Sequence, residues 1–158
     1  MRRFAAIQSI LYYRMTEHIW NIVLIEDHDP DVFLIKEALA THGIRYDLVH
    51  FRDSEEAVRW LCVGGSLEQS VIPDLVLLDL NMPRISGIEV LKRIRETPRL
   101  TSVPVAILTS SYSPLDRREA EAAGATVYVS KPATLDEFLE LVGTSVWKLL
   151  NERRNGTH

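Results

Sequence analysis

Five short, β-rich runs punctuate the chain: Trp20 to Ile25, Tyr46 to Phe51, Leu75 to Leu80, Val103 to Leu108 and Thr126 to Ser130. The third is the plainest. Five apolar residues in six, Leu75 to Leu80, enclose one carboxylate, Asp79, between Pro73 and Pro83. A run with no polar alternation reads as a strand buried on both faces, as in a parallel sheet. Between the runs, apolar positions recur at helical spacing. Val32, Phe33, Ile35 and Leu39 mark a first helix, and Ala57, Val58, Trp60 and Leu61 a second. Ile88, Val90, Leu91 and Ile94 mark a third. A fourth follows Ser113, and a fifth runs from about Leu135 to about Asn151.

The punctuation agrees with this division. Asp29-Pro30 offers an N-cap followed by a proline at the first helical position. Gly43 stands where a left-handed C′ residue would stop the first helix. Asp53-Ser54-Glu55-Glu56 and Thr134-Leu135-Asp136-Glu137 read as capping boxes. Gly64-Gly65 ends the second helix, Ser113-Pro114 caps the fourth and Gly124 closes it. Residues 66–72 form a loop longer than a simple turn. Strand and helix alternate five times, without repeats or low-complexity tracts. That predicts an α/β fold: one doubly wound, five-stranded parallel sheet with right-handed crossovers and five helices. The domain is placed at residues 19–150, after an extension (1–18) and before a polar tail (151–158).

Composition narrows the class. The chain has 158 residues, 46% of them hydrophobic and 25% charged, enough for one domain with a proper core. The net charge is −4 with Lys and Arg dispersed, so no basic tract marks nucleic acid as a partner. No apolar run approaches the roughly 18 residues that span a membrane. Arg2-Arg3 before Phe4-Ala5-Ala6-Ile7 imitates a secretion signal, but Gln8 and Ser9 break it and no cleavage site follows. Residues 1–14 are read as an extra helix or as the product of an upstream start. The single cysteine, Cys62, lies between Leu61 and Val63 and reads as a reduced core thiol, in keeping with a cytoplasmic protein.

The chemistry collects at the strand ends. The first strand delivers Glu26 and Asp27, the third Asp79, the fourth Thr109 and the fifth Lys131. In open α/β sheets ligands bind outside the carboxyl ends of the strands. Three carboxylates there repel one another and need a cation. Hard oxygen donors without Cys or clustered His select Mg²⁺, with Mn²⁺ as the alternative. Mg²⁺ is commonly completed by a phosphate oxygen, and an ammonium with a hydroxyl suits the remaining phosphoryl oxygens. Each residue also has a plainer reading. Asp79 or Asp27 could cap a turn, Lys131 could be a surface lysine, and His28 reads as a solvent-facing loop residue.

These residues carry a resemblance. Glu26-Asp27, Asp79-Leu80-Asn81-Met82-Pro83 with Gly87, Thr109-Ser110 and Lys131-Pro132 resemble the signature of two-component response-regulator receiver domains. The resemblance covers about residues 19–150, with all five motif positions in order and spacing. It implies a flavodoxin-like sheet of order 2-1-3-4-5. It implies Asp79 as the phosphoacceptor, Asp27 and Glu26 at the metal and Asn81 lending it a backbone carbonyl. Lys131 and Thr109 would hold the phosphoryl group, Tyr128 would be the aromatic switch, turning inward on phosphorylation, and Asn81 and Ser111 would tune dephosphorylation. The Lys131–Pro132 bond is typically cis in that family. A sensor histidine kinase or a phosphorelay protein would be the donor.

With no segment left for an output domain, the chain is expected to act by protein–protein contact, as a relay intermediate or as a phosphate sink. The Glu26-Asp27…Asp31 opening, the long third loop and the Trp147-bearing last helix are similar to the small regulators paired with bacterial phytochrome kinases. The last helix carries Leu135, Phe138, Leu139, Leu141, Val142, Val146, Trp147, Leu149 and Leu150, more than one sheet-facing stripe. A homodimer through helix 4, strand 5 and helix 5 is one expectation, cover by residues 1–14 the other. Two other classes lack a residue they need here. A haloacid-dehalogenase-like phosphatase needs a second Asp two residues after the first, where this chain has Asn81. A flavodoxin-like FMN protein needs a phosphate-cradling loop where this chain has Glu26-Asp27-His28-Asp29.

Overall fold

The protein is described by a computed structural model covering residues 17–64 and 71–156. Residues 1–14 and most of the loop before the third strand lie outside the described residues. Five parallel strands, β1 (Trp20–Ile25), β2 (Tyr46–Phe51), β3 (Leu75–Leu78), β4 (Val105–Thr109) and β5 (Val127–Ser130), form one sheet in the order β2-β1-β3-β4-β5. The helices are α1 (Asp29–Thr41), α2 (Ser54–Val58), α3 (Gly87–Glu96), α4 (Pro114–Ala122) and α5 (Leu135–Arg154). A wider π turn, Arg59–Val63, prolongs α2 until Gly64 at φ 57°. The fold is the flavodoxin-like, doubly wound sheet that the alternation and the resemblance led one to expect.

Side chains alternate across a strand with period two, so each strand feeds two cores. Ile22, Leu24, Leu75, Leu77, Ala106, Leu108 and Val129 point to one face, under α1 and α5. Val23, Ile25, Val76, Leu78, Val105, Ile107 and Tyr128 point to the other, under α2, α3 and α4. Every residue of β3 and β4 is buried, which is why their sequence shows no polar alternation.

Several boundaries differ from expectation, each for a local reason. The β3 ladder stops at Leu78 because the Leu80 carbonyl is taken by the Gly87 amide at 3.0 Å. β4 begins at Val105, since Val103 closes a turn on Leu100. β5 begins after Thr126, whose hydroxyl accepts the Val105 amide at 2.9 Å in place of a ladder carbonyl. Asp29 is not the cap of α1: His28 holds that position, and the Asp29 carboxylate is drawn to Arg52 at 2.6 Å. Asp53 does cap α2, accepting from the amides of Glu55 and Glu56, and Ser113 caps α4 through the Asp116 amide. Thr134 stands at the cap of α5 without a side-chain bond, so that capping box does not form. α5 continues to Arg154, into the segment expected to be a polar tail.

The wide apolar face of α5 is largely used within the chain. Phe138, Val142, Val146, Leu149 and Leu150 are buried in the sheet-side core, with Leu139 and Trp147 half-buried at its edge. Leu135 (56% exposed) and Leu141 (44%) are what remains in water. Trp60 packs on Phe51 with ring centroids 5.5 Å apart, and Cys62 lies partly buried against the same core.

Candidate functional site

The site forms because the register brings strand ends level. Ile25 pairs with Leu78, so the next residues, Glu26 and Asp79, emerge side by side. The Asp79 amide still bonds the Ile25 carbonyl at 3.1 Å, and the Glu26 amide bonds Phe51 at 3.0 Å. On the far side the Lys131 amide bonds the Thr109 carbonyl at 2.7 Å, which aligns β4 and β5. The backbone ladder therefore delivers Glu26, Asp79, Thr109 and Lys131 to one crevice. All four are buried, polar and at carboxyl ends of strands.

Gly87 fixes the floor of this crevice. A Cβ built on it would stand 2.4 Å from the Asp79 carbonyl oxygen and 2.6 Å from the Leu80 Cα. The α3 N-terminus rests directly on the backbone that carries Asp79, and only glycine allows that approach. The loop between them is fastened from outside. Ser54 donates to the Pro83 carbonyl at 3.1 Å, and Arg84, at φ 68°, reaches Asp53 at 2.7 Å.

Glu26, Asp27 and Asp79 each present an oxygen within 4.8 Å of the others, with Asp27 exposed and the other two buried. This is a hard, all-oxygen donor set with excess negative charge, and it fits Mg²⁺ or Mn²⁺ in composition and spacing. Burial drives the Glu26 carboxyl above the ordinary range, with the Asp79 charge adding to the effect and Lys131 opposing it.

Lys131 is 8% exposed, and its ammonium lies 2.6 Å from Glu26 Oε2, 2.7 Å from Asp31 Oδ2 and 3.9 Å from Asp79 Oδ2. Burial alone would weaken its charge. The bonds to Asp31 and Glu26, with the charge of Asp79, outweigh that and hold the lysine protonated above its usual range. Thr109 Oγ1 accepts from Asn81 Nδ2 at 3.3 Å and from the Ser111 amide at 3.2 Å. Both contacts use its lone pairs, so its one proton is free to donate into the crevice. Asp79 Oδ1 accepts the Asn81 amide at 3.3 Å.

Tyr128, on β5, is already buried, whereas the resemblance led us to expect it outward before phosphorylation. Its hydroxyl donates to the Ser111 carbonyl at 3.3 Å, and the Arg117 guanidinium stands 4.7 Å from its ring centroid. Ser111 also accepts Ser130 Oγ at 3.0 Å through the same carbonyl, and its hydroxyl bonds Asp116. Tyr112 donates to the Lys131 carbonyl at 2.8 Å. The described peptide bonds are all trans, Lys131–Pro132 included, in contrast to the cis form of the resemblance. Trans is the favoured form of an X–Pro bond by roughly 0.5–1 kcal/mol.

Sequence reasoning placed all the strand-end residues but missed Asp31 as a partner of Lys131. The available signal was its position four residues after Asp27, in the first turn of α1, where a carboxylate faces back over the strand ends. His28 is solvent-facing as expected, with Nδ1 3.2 Å from Asp31 Oδ2 and its amide on Glu26 Oε1 at 3.0 Å.

The acidic, lysine-closed crevice lies at the carboxyl ends of β1 and β3, the switch point where doubly wound sheets bind their ligands. Residues 22–143 match the family described as the response regulator receiver domain, and the chain belongs to that family. It is 36% identical over 121 residues to the response regulator Rcp1 of Synechocystis sp., an alignment spanning 77% of this chain and 82% of the relative. The phosphorylated cyanobacterial phytochrome response regulator RcpA superposes with a TM-score of 0.74 at 34% identity, over 81% of this chain and 91% of that one. The Mn²⁺-bound form of Rcp1 gives 0.72 at 34% identity, over 79% and 90%. Among the described residues, no helix is long and apolar enough to cross a membrane.

Proposed function

We propose that this receiver accepts a phosphoryl group on Asp79 from the phosphohistidine of a sensor kinase or relay protein. The observation that carries this is the placement of Asp79 among Glu26, Asp27 and the Lys131 ammonium at the end of a buried strand. An Asp79 carboxylate oxygen attacks phosphorus, an O–P bond forms, the donor's P–N bond breaks and the imidazole leaves with a proton. Glu26, Asp27, Asp79 and the Asn81 carbonyl would hold Mg²⁺ or Mn²⁺, which when bound neutralises the phosphoryl oxygens. Lys131 supplies fixed positive charge to one phosphoryl oxygen, and the Thr109 hydroxyl donates to another. Asn81 and Ser111, flanking that hydroxyl, set how water reaches the phosphoryl group.

Phosphorylation adds about −1.5 to −2 charge and strong acceptor oxygens. Pulling on Thr109 disturbs its bond with the Ser111 amide, and Ser111 in turn holds Tyr128. The signal therefore passes to the α4–β5–α5 face, where Tyr112, Leu115, Leu135 and Leu141 are exposed. That face meets the downstream protein or a second copy of the chain. The names of the relatives Rcp1 and RcpA support a phytochrome-type kinase as donor.

The test is a phosphotransfer screen with purified, ATP-loaded histidine kinases, phytochrome-type ones included. Label should reach the wild type in Mg²⁺, and should be lost with chelator or in Asp79→Asn. Equal labelling of Asp79→Asn would overturn the assignment.

A further inference from the structure

The Lys131 ammonium has three N–H donors. Two are committed, to Glu26 at 2.6 Å and to Asp31 at 2.7 Å, while Asp79, where the phosphoryl group would be attached, is only a longer ion pair at 3.9 Å, beyond hydrogen-bond distance. Glu26 belongs to the acidic group that fits a metal, but Asp31 lies outside that group. Its carboxylate is only partly buried and comes from the first turn of α1, where Oδ2 meets Lys131 at 2.7 Å and the solvent-facing His28 ring at 3.2 Å. It also places a further negative charge beside a pocket that must take up an anion.

We infer that Asp31 is a positioning residue that holds Lys131 back from Asp79 and so weakens the grip of the site on a phosphoryl group. The inference rests on the reading of Asp79 as phosphoacceptor. Its physical content is competition: one ammonium is shared between Asp31 and the incoming phosphoryl oxygens. Removing the Asp31 charge leaves Lys131 one strong acceptor fewer and lessens repulsion of the anion. A short, charge-assisted bond is the kind of contact whose loss a binding measurement can register.

Beryllium trifluoride, a non-covalent phosphoryl mimic, is the probe, titrated in Mg²⁺ and read by fluorine NMR. Asp31→Asn and Asp31→Ala should each tighten its binding by about tenfold, the scale of one hydrogen bond to a charged group. In a Lys131→Ala background the same substitutions should change affinity by less than about twofold, because the residue they act through is gone. Unchanged or weaker binding in both Asp31 variants would overturn the inference. So would a tightening of equal size without Lys131, which would show a diffuse charge effect. If the wild type fails to bind the mimic in Mg²⁺, the phosphoacceptor reading itself falls. If the wild type binds and the variants match it, only the role of Asp31 falls.

Discussion

The Tyr128 hydroxyl donates to the carbonyl of Ser111 at 3.3 Å, tying β5 to the loop that leaves β4. With Arg117 over its ring, the tyrosine is held from the backbone side and from α4 together. Ser111 keeps a second donor, Ser130 Oγ, so the hydroxyl bond is one of two on that carbonyl. Tyr128→Phe should therefore cost little stability, about 1 kcal/mol. Tyr128→Ala, which empties a buried ring site, should cost about 3–5 kcal/mol. Urea denaturation of both variants checks the contrast, and equal losses would contradict the packing described.

The approach of Gly87 to Asp79 leads to a sharper expectation. A methyl group there meets a carbonyl oxygen and a Cα, neither of which can swing away. Gly87→Ala should destabilise the fold by about 1–3 kcal/mol, since the backbone must give way. It should also slow phosphorylation, because the displaced backbone carries the acceptor. Stability unchanged in a thermal melt would show that α3 sits farther off than described.

Charge repulsion among Glu26, Asp27 and Asp79 gives a prediction of opposite sign. Asp79→Asn removes one of three clustered carboxylates while the Lys131 contacts to Glu26 and Asp31 remain. In chelator the variant should be more stable than the wild type, by about 1 kcal/mol. Added Mg²⁺ should shrink that gain by stabilising the wild type more. A variant less stable than the wild type in chelator would mean that the three acids do not strain the site.

Asp53 makes an acid-dependent contribution. Hydrogen bonding from the Glu56 amide comes first among the causes that set its carboxyl below the usual range; desolvation opposes it, and the Arg84 charge and the Glu55 amide add to the lowering. A carboxyl depressed in the folded state stabilises the protein above its unfolded pKa, and that contribution is lost as pH falls through the folded value. Asp53→Asn keeps a cap but cannot titrate. The stability difference between wild type and variant should be largest near neutral pH and shrink below about pH 4. A difference independent of pH would contradict it.

Much of this was legible in the chain. The bracketed apolar run around Asp79 reads as a doubly buried strand because β3 is buried at every position. The strand-end residues follow from counting to the end of each run. What escaped depends on geometry that spacing does not encode. Asp31 joins the site only because the first turn of α1 aims this one carboxylate back at Lys131. Asp29 looked like a cap, but Arg52, distant in sequence, competes for it. The apolar excess of α5 exceeded one stripe on paper because most of it packs into the core shared with α1 and one face of the sheet, leaving Leu135 and Leu141 exposed. The inward pose of Tyr128 depends on Ser111 and Arg117, contacts between elements that the sequence keeps apart.

The central claim is that Asp79 takes the phosphoryl group in a Mg²⁺-dependent reaction. The most direct measurement is intact-mass and peptide-mapping spectrometry after incubation with acetyl phosphate and Mg²⁺. One phosphoryl group per chain, mapped to Asp79 and absent with chelator, is the expected result. A phosphoryl group on another residue, or one formed equally well by Asp79→Asn, would contradict the account.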